Sequence, residues 1–142
     1  MEAVILRRSI WINAPRQRVW DAVSVPEQIT GWFAPGTNFK FENDTVFISM
    51  DGQFVPVAWV ETIDPPRELT TRPLPDKKTA TTYLLEEENG GTRFTVIESG
   101  LEALPAEDRE KYLQQNGYGW DMALSNLNAY IEGKPLPRPE GF

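Results

Sequence analysis

Thr79-Ala80-Thr81-Thr82-Tyr83-Leu84-Leu85-Glu86-Glu87-Glu88-Asn89-Gly90-Gly91-Thr92-Arg93-Phe94-Thr95-Val96-Ile97-Glu98-Ser99 reads as two strands with a turn between them. Both arms are rich in β-branched and aromatic side chains, which fit a pleated, half-buried surface. Asn89-Gly90-Gly91 has the residue types a tight hairpin needs, because its central positions take positive φ. The pattern predicts strands over Thr79–Glu87 and Thr92–Ser99. On the second arm Phe94, Val96 and Glu98 share one face, so a carboxylate stands in line with two core-type side chains.

Working back from this hairpin, strands are predicted over Phe39–Glu42, Thr45–Met50, Gln53–Ile63 and Glu68–Arg72. Asp51-Gly52 makes another tight turn, while Asp64-Pro65-Pro66-Arg67 and Pro73-Leu74-Pro75-Asp76 are longer turns stiffened by proline. At the N-terminus Val4, Leu6, Ile10 and Ile12 alternate with Arg7, Ser9 and Asn13, and Arg8 interrupts the apolar side once. Asn13-Ala14-Pro15 then offers a cap and a first-turn proline for a short helix carrying Val19, Trp20 and Val23. Ser24-Val25-Pro26-Glu27 has capping-box spacing for a second short helix toward Trp32, stopped by Gly31 and Ala34-Pro35-Gly36.

Working forward, Leu113, Trp120, Leu124, Leu127 and Ile131 fall on one stripe of a long amphipathic helix after Leu104-Pro105. Gly117 and Gly119 lie inside it, so a kink, or a close approach of something bulky, is expected there. Gly133 and Pro135 end the helix, and residues 134–142 read as an extended tail. The order of elements is that of an α+β domain, its helices segregated to one side of an antiparallel sheet. The 142 residues, 40% of them hydrophobic, fit one domain spanning 1–142.

Composition closes several kinds of chemistry. The chain has no cysteine and no histidine, which removes disulfides, soft-metal sites and the Ser-His and Cys-His mechanisms. Its 14 basic against 21 acidic residues, a net charge of −7, oppose the counterion-release term of nucleic-acid binding. No nucleic-acid partner is expected. Arg7 and Arg8 break the N-terminal apolar run, so neither a signal peptide nor membrane insertion is expected, and the expected location is cytoplasmic.

Ile10-Trp11-Ile12-Asn13-Ala14-Pro15, Val19-Trp20, Pro26-Glu27 and Trp32-Phe33 resemble the N-terminal signature of the SRPBCC superfamily, also called START-like or Bet v-like. Ile63-Asp64-Pro65-Pro66-Arg67-Glu68-Leu69, Gly91 to Val96 with Glu98-Ser99-Gly100, and Gly119-Trp120 with Leu124 and Leu127 resemble its AHSA branch, the activator of Hsp90 ATPase homologue-like proteins. The resemblance covers nearly the whole chain. It implies a helix-grip fold, a curved antiparallel sheet wrapped around a long C-terminal helix, with a hydrophobic cavity between them. Eukaryotic relatives stimulate the Hsp90 chaperone in stress response, and the superfamily also holds lipid carriers, aromatase/cyclases and ring hydroxylases.

Within that frame Trp32, Phe47, Trp59, Tyr83, Phe94 and Trp120, with Leu124, are candidate ligand-binding residues; the alternative for each aromatic is ordinary core packing. Glu98 joins them as either a buried carboxylate that orients a ligand hydroxyl or a strand-end partner of Arg93 or Arg7. Glu86-Glu87-Glu88 reads as a solvated hairpin end rather than a cation site, and Arg67, Arg72, Lys77 and Lys78 as loop charge, with an acidic partner as the alternative. The expected function is binding of a hydrophobic small molecule, lipid-like or polycyclic, under the long helix. The alternatives are a chaperone-partner role and a cofactor-free cyclase or hydratase acting through Glu98 or Tyr83. No cofactor, metal or catalytic residue is assigned.

Overall fold

The computed structural model of the chain describes residues 2–35 and 37–140. Strand β1 (Leu6–Ile12) is followed by two short helices, α1 (Arg16–Ser24) and α2 (Pro26–Trp32). Six strands come next: β2 (Phe39–Glu42), β3 (Thr45–Met50), β4 (Gln53–Asp64), β5 (Glu68–Pro73), β6 (Ala80–Glu88) and β7 (Gly91–Ser99). A 3-10 turn at Leu101–Ala103 leads into the long helix α3 (Ala106–Glu132). The strands form one antiparallel sheet of seven in the order β1-β7-β6-β5-β4-β3-β2, and the helix-grip architecture is as the resemblance implies. β1 closes one end by pairing with the last strand, Leu6 opposite Glu98 and Ile12 opposite Thr92.

The β6–β7 hairpin turns at Asn89 and Gly90, both at positive φ (49° and 77°), as its sequence requires. Gly91 then opens β7 in close contact with β1, where a Cβ would lie 2.5 Å from the Ile12 carbonyl oxygen. Phe94, Val96 and Glu98 face the helices. Phe94 and Val96 join Ile12, Val19, Trp32 and Leu127 in a core whose members are almost fully buried. Burying each such side chain stabilises the fold by roughly 1.5–3 kcal/mol, so this cluster dominates the packing energy.

Arg8 and Gly117, the two interruptions of otherwise regular patterns, explain each other. Arg8 points inward from β1 toward α3, and its Nε donates to Asp121 at 3.1 Å. A Cβ at Gly117 would stand 2.5 Å from the Arg8 guanidinium, so glycine makes the room. The bulky neighbour expected at the glycine pair is therefore present at Gly117, while the helix runs unbroken through both glycines. At Gly119 nothing lies within 4 Å of an added Cβ.

Local chemistry departs from expectation at three places. Neither short helix has a side-chain cap: Pro15 and Val25 occupy the N-cap positions. The Ser24 hydroxyl instead donates back to the Trp20 carbonyl at 2.6 Å, so the capping box does not form. The tail is not simply extended, because Asn126 holds Arg138 against α3 through two hydrogen bonds, 2.8 Å and 2.9 Å. The expected stop at Gly36 and the final tail residues, Gly141 and Phe142, lie outside the described residues. Among the described residues no helix is long and apolar enough to cross a membrane.

Candidate functional site: an apolar cavity beneath the short helices

A cavity of about 150 Å³ lies between the two short helices and the β2–β6 part of the sheet. Val23, Ile29 and Phe33 cover it from the helical side. Val46, Ala58 and Val60 line it from β3 and β4, and Leu69, Thr71, Thr81 and Tyr83 from β5 and β6. The last four are in register, Leu69 opposite Tyr83 and Thr71 opposite Thr81, and so share one face. Val60 and Ile63 also share that face although three positions apart, because Glu61 is the extra residue where the β4–β5 register shifts. Phe41 and Ile63, 37% and 56% exposed, stand at the open side.

No residue of α3 lines this space. The expectation of a cavity under the long helix is corrected accordingly: α3 packs toward the β1 end of the sheet and fills its side with core, leaving the opening to α1 and α2. Gly31 helps set this division, since a Cβ there would meet the Tyr130 ring at 2.5 Å; its absence lets α2 lie directly against α3.

Seven of the eight candidate residues separate into three groups. Tyr83 alone lines the cavity. Trp32, Phe94 and Leu124 belong to the core, at 1%, 0% and 4% exposure, and Trp120 packs against them. Trp120 sits directly behind the cavity wall, its ring 6.2 Å from Phe33 and 6.1 Å from Tyr83. Phe47 and Trp59 are on the opposite face of the sheet, corrected by strand parity: each is adjacent to an inward residue, Val46 and Ala58 respectively. There Lys40 lies over Phe47 at 5.0 Å and Lys77 over Trp59 at 4.3 Å.

Glu98, only 5% exposed, accepts hydrogen bonds from one stripe of α3. The Tyr112 hydroxyl donates at 2.5 Å, the Asn116 amide at 3.4 Å and the Trp120 indole N–H closes the set. The four-residue spacing places these donors on one helix face. The strand-end alternative does not occur: Arg93 pairs with Glu88 at 2.8 Å. Burial, and then the Glu98 charge, push the Tyr83 hydroxyl well above the ordinary tyrosine range. Burial and the hydrogen bond to Glu98 do the same for Tyr112. Both hydroxyls therefore stay protonated, and that of Tyr112 donates to Glu98.

The sequence reading missed Phe33, Val46, Val60 and Leu69 as cavity residues. Strand alternation was the available signal for Val46 and Val60, but side-chain size drew attention to their aromatic neighbours. The acidic hairpin end is ordinary surface: Glu87 pairs with Arg16 and Glu88 with Arg93, and no cluster able to hold a metal occurs among the described residues. Of the basic loop group, Arg67 pairs with Asp64 and Arg72 with Glu61.

Residues 13–132 match the family described as Activator of Hsp90 ATPase homolog 1-like protein. The chain belongs to that family. Solved structures share the fold. CalU16 from Micromonospora echinospora is 25% identical, with 96% of this chain and 87% of that one covered at a TM-score of 0.67. The Aha1 dimer from Colwellia psychrerythraea is 15% identical, with 91% and 96% covered at 0.74. DynU16, from the dynemicin biosynthetic locus, is 20% identical at 0.66; 97% of this AHSA chain aligns with about half, 49%, of that protein. No curated protein matches the chain.

Proposed function

We propose that this protein binds a small, predominantly apolar molecule in the cavity between α1–α2 and the β2–β6 face. The observation that carries this reading is the space itself, roofed by Ile29 and Phe33 and floored by Val46, Ala58 and Val60. A folded domain normally fills such a space with its own side chains. The space of about 150 Å³ suits one aromatic ring or a short aliphatic chain. A polycyclic ligand would need the short helices to move outward, since sites for drug-sized ligands begin near roughly 300 Å³. The fold shared with a protein of the dynemicin locus adds support for a small-molecule role.

The geometry favours binding over chemistry. Glu98 is saturated by α3 donors and does not line the cavity, and the Tyr83 proton is held too firmly for acid–base work near neutral pH. A chaperone-partner role draws instead on the family description and is tested by Hsp90 ATPase stimulation.

The cavity reading is tested by melting curves with toluene, cumene and acetophenone. Binding to the folded state raises stability by roughly 2.7 kcal/mol at a free ligand concentration of one hundred times Kd. A concentration-dependent rise in Tm that is lost in Ala58→Leu is the expected result. Unmoved curves with all three probes would overturn the reading.

A further inference from the structure

The cavity wall carries four hydroxyl groups, on Ser24, Thr71, Thr81 and Tyr83, amid apolar side chains. Ser24 is committed to the Trp20 carbonyl. Thr70 and Thr82, on the other face, bond to each other at 2.9 Å. Among the described residues the hydroxyls of Thr71, Thr81 and Tyr83 have no hydrogen-bond partner, and each keeps some accessible surface. Of the three, only the Tyr83 hydroxyl is carried on an aromatic ring, which forms part of the cavity wall. Packing fixes the ring in place: it stands edge-on to Phe94 at 5.1 Å and to Trp120 at 6.1 Å.

Charge narrows the choice further. Among the described residues no lysine or arginine lines the cavity. The nearest buried charge behind the Tyr83 wall is the Glu98 carboxylate, held by the Trp120 indole. An anionic ligand would lose its hydration with no cation to replace it and would face a carboxylate of the same sign. A hydrocarbon would leave the Tyr83 proton without an acceptor. A neutral ligand with one acceptor oxygen satisfies both constraints.

Resting on the cavity reading above, we infer that Tyr83 is a specificity-determining donor that selects a neutral, single-ring or short-chain ligand bearing a carbonyl or similar acceptor oxygen. Free fatty acids and aromatic carboxylates are then poor ligands, although they are apolar enough for the walls. Tyr83 positions the ligand and takes no part in any reaction. Its raised pKa keeps the proton available for donation throughout the neutral range.

Three probes with the same ring and branching separate the terms: cumene has no acceptor, acetophenone has a neutral one and benzoate an anionic one. Kd values come from amide chemical-shift titrations of wild type and Tyr83→Phe. The substitution removes no hydrogen bond among the described residues, so the variant should fold. Tyr83→Phe should weaken acetophenone about five- to tenfold, the ratio given by a hydrogen bond of ordinary net strength, and leave cumene unchanged. Benzoate should show no saturable binding to either protein.

Equal weakening of cumene and acetophenone, or benzoate binding as tightly as acetophenone, would overturn the Tyr83 inference while leaving the cavity reading intact. Absence of binding by all three to wild type would overturn both. A second measurement avoids reliance on the variant: the carbonyl carbon of 13C-labelled acetophenone bound to the wild-type protein should resonate downfield of its position in hydrocarbon solvent. A shift unchanged from that in hydrocarbon solvent would overturn the inference.

Discussion

Beneath α3, the β1–β7 end of the sheet is packed until Phe94, Leu127 and Ala123 are each 0% exposed. Beneath α1 and α2, at the β2–β5 end, Phe41 and Ile63 remain 37% and 56% exposed around an unfilled space. One helix of 27 residues covers the first region, whereas helices of 9 and 7 residues share the second. The long helix presents several turns of apolar stripe and closes its side completely. The short ones are too brief to do so. The comparison teaches that the grip and the cavity belong to different parts of the molecule: α3 supplies stability, and the bracket of short helices supplies the space.

The largest expected effect tests the polar anchor in the packed region. Glu98→Ala removes the acceptor shared by Tyr112, Asn116 and Trp120 and strands their donors where water reaches poorly. We expect a loss of about 3 kcal/mol in urea unfolding, from unsatisfied buried groups costing roughly 1–3 kcal/mol each. A loss below about 1 kcal/mol would show that the polar set contributes little to holding α3.

The next test contrasts the two regions directly by adding the same bulk to each. Ala123→Leu, in the filled core, should cost about 1–3 kcal/mol through overpacking. Ala58→Leu, at the cavity wall, should cost under about 1 kcal/mol because space awaits the side chain, and should abolish probe binding. Equal costs, measured by chemical denaturation, would erase the distinction.

Alkaline pH probes the boundary where the regions meet. The hydroxyls of Tyr83 and Tyr112 are held above their unfolded value of about 10, so the folded state keeps these protons longer than the unfolded state does. Their contribution is fully present below that pH and declines as pH rises through the folded-state values. Stability should therefore fall above pH about 10, with a shallower slope in Tyr83→Phe and Tyr112→Phe, read from Tm against pH.

The smallest effect lies within α3. Gly119→Ala should stabilise the protein by about 1 kcal/mol, the helix-propensity difference, since nothing lies in the way of its Cβ. Gly117→Ala should gain nothing, because the methyl must displace the Arg8 guanidinium from its place beside Asp121. Matching gains at both positions would show that the close approach is relaxed in solution.

The hairpin, the strand run and the long helix were legible because period and turn chemistry are local. Even Arg8 and Gly117 announced themselves as breaks in a pattern, although only the fold could reveal that they meet. Cavity placement was not legible. It depends on where α3 comes to rest, which contacts between residues far apart in sequence, such as Gly31 and Tyr130, decide. Phe47 and Trp59 have the size of cavity residues, but alternation with Val46 and Ala58 turns them outward. Glu98 was legible as an inward carboxylate, but its donors, a helix turn apart on another element, were not.

Asn126 extends the division between stability and space to the chain's end. Its amide reaches the Trp32 carbonyl at 3.1 Å and the Arg138 carbonyl at 2.8 Å, while its oxygen accepts the Arg138 N–H. Trp32 ends α2, next to the cavity residue Phe33. The tail thus works as a strut: it meets the cavity roof from behind, through a single completely buried side chain of the long helix. An outward swing of α2 to admit a larger guest would pull on that joint, so the energetic tolerance of the roof is set partly by residues that never touch the guest.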